Sequence, residues 1–299
     1  MQQVIIDHYK CFSLYTNPGL YEKYLREELP NDIKEIGLLV RKQIIHRTTL
    51  KAGNTGTNSD LKYGDMNRVP WYRQPEDDVF PTVSAMMAEL FRRDARGLTL
   101  DRNPEDKLVV TCRHDSLLVA AILKSKGIPT RVRSGFAPYF MVEGLPVGKS
   151  DDHWIDQYWD EGQSRWVTID VDGSLHNYTK LNFYDLPQGT FDFSAAAWLQ
   201  VRAGKIDEKH FYNAGGFEGL MAIAWELFYD FHCLMNNEII YLHVPEIVSY
   251  SNFTNLKEKV LQEIDQLATL MLEPDKNFKA LTSIWDSKRE YRIMTGGLL

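Results

Sequence analysis

The sequence predicts an α+β fold in which one buried helix packs on an antiparallel sheet, with helical regions before and after. Three observations predict it. An apolar helical run follows Thr111 in mid-chain. Two aromatic and β-branched segments, 154–159 and 165–170, come after it as a hairpin. Apolar residues at helical spacing fill most of the remainder. The expected division is a helical region over 1–100, a central core over 101–188 and a second helical region over 189–299.

The elements follow in order. Asn17-Pro18 predicts a helix start, with Asn17 as cap and Pro18 at the first position, and Leu29-Pro30 stops it. Asp32 opens a second helix carrying Ile33, Ile36, Leu39, Val40, Ile44 and Ile45, with His46 on its last turn in a structural role. Residues 53–64, rich in Gly, Asn, Thr and Ser, are a loop. The polar-aromatic stretch from Met66 to Gln74 suits a cleft wall. A third helix runs from Pro81 to Ala95 with Val83, Met86, Met87, Leu90 and Phe91 inward.

The helix after Thr111 has clear ends. Thr111 can cap it, Asp115 sits near the positive end, Lys124 and Lys126 near the negative end, and Gly127 suits the residue just beyond. Cys112 then occupies the first helical position, where unpaired N–H groups and the dipole favour thiolate over thiol. A strand follows over 128–136. The long loop 137–152, with Tyr139 and Phe140, suits a substrate lid. Beyond the hairpin, helices return over 194–202, 218–236 and 252–272. Pro274 opens a last one, and Cys233 is inert packing.

Register decides whether the histidine and the aspartate of the hairpin meet. If Trp159 pairs with Ser164 across the turn Asp160-Glu161-Gly162-Gln163, His153 lies directly opposite Asp170. Opposed residues share a sheet face with Cβ atoms roughly 5 Å apart. Asp170 would then accept Nδ1–H of the imidazole and leave Nε2 for the thiol. Taken singly, each residue has an ordinary reading, a buried thiol or a polar strand end. Together they make a nucleophile, Cys112, a general base and acid, His153, and an orienting carboxylate, Asp170. A second oxyanion donor would join the backbone N–H of Cys112, with Gln74, Trp71, Trp154 and Tyr139 as the oxyanion or substrate-contact candidates.

Four separated pieces, Cys112-Arg113-His114-Asp115, Gly127-Ile128-Pro129-Thr130-Arg131, Asp152-His153-Trp154 and Trp166-Val167-Thr168-Ile169-Asp170, make the chain resemble the transglutaminase-like superfamily over about residues 105–185. The flanks more loosely resemble those of bacterial transglutaminase-domain proteins. The resemblance implies a circularly permuted papain-like core over 101–188 and thiol acyl chemistry on Cys112, His153 and Asp170. Family members include transglutaminases, peptide N-glycanases and cysteine proteases, so the substrate stays open. The expectation is attack on a peptide bond or a glutamine or asparagine side chain through a thioester. Hydrolysis is favoured over amine transfer, because a transferase must also exclude water and offer an amine site. The alternative is a catalytically silent module on the same fold that binds a peptide or protein.

Composition narrows the partners. A net charge of −7 and the lack of a basic, aromatic-interleaved patch argue against nucleic acid. Three widely spaced cysteines fit a reducing compartment without a disulfide framework. The opening residues lack the basic start and apolar run of a signal peptide, and no window reaches the about 20 apolar residues of a membrane span. A cytoplasmic protein acting on a peptide or protein substrate, without a cofactor, is expected. A metal site of His114, Asp151, Asp152 and His153 is disfavoured. Neighbours at a helix start point apart, and no pair has i, i+4 spacing.

Overall fold

In the computed structural model, residues 2–47, 73, 76–140, 149–172, 180–213, 216–241 and 243–293 are described. The fold is α+β. The long strand β4 (Ser150–Asp160) organises the sheet, with β3 (Thr130–Ala137) antiparallel along one edge from Asp151 to Tyr158. Two strands share its other edge. β5 (Arg165–Ile169) pairs antiparallel with Asp156 to Asp160, and the two-residue β7 (Phe211–Tyr212) pairs parallel with Ser150 and Asp151. On that edge, residues 152–155 lie between the two partners. The short β6 (Asp192–Phe193) lies outside β3.

The helix Cys112–Ser125 is buried along its whole length and packs on β3 and β4. Its far end closes as expected, with Gly127 at φ +78°, a left-handed value that only glycine takes without strain. Helices Glu22–Glu27, Ile33–Gln43 and Val83–Arg93 pack on it, and Leu220–Leu234 packs on β3. One continuous apolar cluster joins side chains from Leu25 to Tyr291. The helix Ser194–Arg202 has the expected bounds. The later ones are shorter than expected, Glu258–Met271 and Phe278–Ser287, each broken off from a short turn. Among the described residues no helix is long and apolar enough to cross a membrane.

Two differences from the sequence reading bear on the site. The helix opened by Asp32, whose carboxylate accepts Glu35 N–H at 2.9 Å, ends at Gln43 rather than running through His46. Ile44–His46 form strand β1, parallel to β2 (Leu108–Val110), with His46 opposite Val110. Adjacent β-branched residues favour strand, and a partner of Leu108-Val109-Val110 lets them take it. The hairpin register also differs, pairing Asp160 with Arg165 and Trp159 with Trp166. The Asp160 carboxylate accepts Gln163 N–H at 2.9 Å, and Ser164 turns at φ +52°, so the four-residue turn is 161–164. Moving the turn by one residue moves the register by two. Face is preserved, because side chains alternate with period two.

Candidate active site

The register shift makes His153 and Asp170 diagonal neighbours on one face instead of direct opposites, still within reach of a ring and a carboxylate. His153 Nε2 lies 3.0 Å from Asp170 Oδ1. This corrects the expected tautomer. A carboxylate set two residues along the strand is met by the distal nitrogen. Both side chains are 1 % exposed. Gly135 stands across from His153, and a Cβ there would collide with the Asp192 carbonyl and the Phe191 ring. Glycine is what lets β6 close over this part of the sheet. The Phe140 ring meets the imidazole edge-on, with centroids 4.5 Å apart.

Cys112 opens its helix as predicted and is 4 % exposed. The residue belongs to the apolar core cluster, but its sulfur meets polar groups. Burial pushes the thiol up, but hydrogen bonding and charge from His153 and then from His46 outweigh it and bring the pKa down to about 7. Burial likewise works against a charged His153, yet Asp170 and then the thiol hold the ring well above its ordinary value. The two shifts run in the directions that favour a charged pair of thiolate and imidazolium.

Tyr139 stands apart from the role expected of it. Its hydroxyl donates to Asp170 Oδ2 at 2.6 Å, so it orients the carboxylate rather than facing a substrate. Burial, followed by the charge of Asp170, keeps the phenol protonated. Trp154 is buried, with its ring 5.7 Å from that of Tyr241. Its indole N–H has no hydrogen-bond partner among the described residues. Gln74 and Trp71 lie outside the described residues, as do 141–148 of the expected lid. The proposed metal ligands do not converge. His114 spends Nδ1 on Thr111 Oγ1 at 3.0 Å and Nε2 on the Asp77 carbonyl at 3.1 Å, and no group of three potential ligands gathers among the described residues.

Three residues of the site escape sequence reasoning. Tyr241 places its hydroxyl 3.2 Å from Cys112 Sγ. It is held there by the neighbour of the nucleophile: buried Arg113 donates to the carbonyls of Glu238 and Ile239. No local pattern signals it. His46 reaches the same sulfur from the end of β1, and Asp172 lies beside His46. The one available signal was the Ile44-Ile45 pair, which reads as strand as readily as helix.

Compared with protein-family models, with curated proteins and with solved structures, the chain matches none. What bears on its chemistry is the geometry of the site itself.

Proposed function

We propose that this protein is a cysteine-dependent acyl-transfer enzyme with a transglutaminase-like, permuted papain-like core. It would act on an amide, a peptide bond or a glutamine or asparagine side chain, through a thioester on Cys112. The observation that carries this reading is a thiol at a helix start together with an imidazole bound to an anchored carboxylate, brought from three separate elements, and the lowering of the thiol's pKa by that imidazole supports it. In the first half-reaction the Cys112 sulfur bonds to the carbonyl carbon and the carbonyl π pair moves to oxygen. The C–N bond then breaks as His153 gives its proton to the leaving amine. In the second, His153 takes a proton from water as the water oxygen bonds to the carbon and the thiolate leaves. An amine in place of water would make the protein a transferase. Hydrolysis is the simpler outcome, because a transferase must also exclude water and offer a site for the amine.

The 4 % exposure of Cys112 favours a second reading, a peptide- or protein-binding module in which the thiol is a closed polar node. The rate of Cys112 alkylation against pH separates the two, measured in the wild type and in His153→Ala and resolved by peptide mass spectrometry because Cys11 is exposed. An enzyme predicts appreciable alkylation at pH 6 that falls roughly tenfold or more in the variant. Reactivity like that of a free thiol, unmoved by His153, would overturn the enzyme reading and favour the binding module.

A further inference from the structure

A second imidazole meets the nucleophile from the other end of the chain. β1 runs parallel to β2 with His46 opposite Val110, two residues before Cys112, so the end of β1 is delivered to the first turn of the nucleophile helix. The His46 ring thus reaches the electrostatic surroundings of the Cys112 thiol, and its Nε2 lies 3.8 Å from Asp172 Oδ2. Asp172 follows Asp170 by two positions. One segment leaving β5 therefore supplies a carboxylate to each of the two rings that flank a single sulfur.

The two pairs differ in setting. The side chains of His153 and Asp170 are 1 % exposed, whereas those of His46 and Asp172 keep 18 % and 12 %. Of the two rings, the His46 ring is the one with solvent contact. We propose that His46, held by Asp172, is a second imidazolium on Cys112, which stabilises the thiolate and then donates a hydrogen bond to the oxyanion formed on the substrate. This rests on the reading of Cys112 as a nucleophile. No proton leaves His46 in the cycle. The proton given to the leaving amine and regained from water travels through His153, and His46 contributes only a charged donor aimed where negative charge develops.

The electrostatics agree with a ring that stays charged. Burial opposes protonation of His46, but Asp172 and then the thiol bring its pKa up to about 9. The other titrating neighbours on the nucleophile helix do not compete. Burial pushes Asp115 well above the carboxylate range, and burial followed by the charge of Arg113 keeps His114 neutral.

Two rates test the proposal, alkylation of Cys112 by iodoacetamide against pH and acylation by 4-nitrophenyl acetate, in the wild type, His46→Gln, Asp172→Asn and His153→Ala. His46→Gln should slow alkylation at pH 6 by about tenfold, a one-unit rise in the thiol pKa. It should slow acylation more, because only acylation forms an oxyanion. Asp172→Asn, at a partly exposed position that tolerates the isostere, should shift both rates in the same direction by less. It keeps the test valid if His46→Gln fails to fold. An unchanged alkylation profile in both variants, with His153→Ala still shifting it, would overturn the role of His46 and leave the proposed function standing. Equal losses in the two rates would overturn the oxyanion role. Profiles unmoved by any of the three substitutions would remove the proposed function as well.

Discussion

Two thiols lie buried in helices of this chain, Cys112 in the first turn of its helix and Cys233 in the last turn of Leu220–Leu234. They ionise in opposite directions. Burial raises Cys233 well above the ordinary thiol range, and Glu238 and Asp230 push it further. Cys112 bears the same penalty of burial, yet two imidazoles bring it to about 7. The helix ends act in the same sense, with free N–H groups at the start of one helix and carbonyls at the end of the other. The contrast shows that burial does not decide what a cysteine does. Its charged neighbours do, and those come from elsewhere in the chain.

The strongest way to break the comparison is to remove each sulfur. If Cys112 is the nucleophile, Cys112→Ala should lower hydrolysis of a cleavable amide by on the order of a thousandfold or more. Cys233→Ala should leave the rate per folded molecule unchanged and cost only about 1 kcal/mol of stability, as a small cavity in the core does. Amide hydrolysis beside thermal melting measures both. Equal losses of activity would dissolve the distinction between the two thiols.

A smaller effect appears in the pH dependence of stability. Cys112 has a folded pKa of about 7 against an ordinary 9.0, so its ionisation contributes stability that is full above pH 9 and lost as pH falls through 7. Cys233 is raised, so its contribution is full below pH 9 and is lost at higher pH. Relative to wild type, Cys112→Ala should therefore lose more at pH 9 than at pH 6, by about 2 kcal/mol. Cys233→Ala should make the alkaline decline above pH 9 shallower. Melting temperatures from pH 6 to 10 for the three proteins test the signs.

The smallest effect on the thiol itself is expected at Tyr139, which meets Asp170. Tyr139→Phe removes one hydrogen bond to a charged group and should cost about 1.5–3 kcal/mol of stability. It should move the alkylation profile of Cys112 less than His153→Ala does. A shift as large as that of His153→Ala would place Tyr139 among the groups that set the thiol's ionisation.

The legible part of the site was local in sequence. Thr111, Asp115 and Gly127 announce a helix and its ends within a few residues, so the position of Cys112 could be read without any tertiary partner. The His153–Asp170 pairing was legible in parity but not in register. Alternation survives a two-residue slip, whereas the exact partner depends on where Asp160 closes the turn. In the shifted register it is Nε2 of the ring that meets the carboxylate.

By itself the sequence determined an α+β chain, a buried helix opened by a cysteine, and a hairpin carrying a histidine and an aspartate on one face. Only the tertiary structure decided that His46 belongs to a strand, that its ring and Tyr241 share the sulfur with His153, and that Tyr139 is bound to Asp170. The physical reason is one of range. Caps, turns and alternation act between near neighbours, so a short window reveals them. The electrostatic setting of a thiol is made by groups brought together from distant parts of the chain, and their proximity exists only once the core has formed.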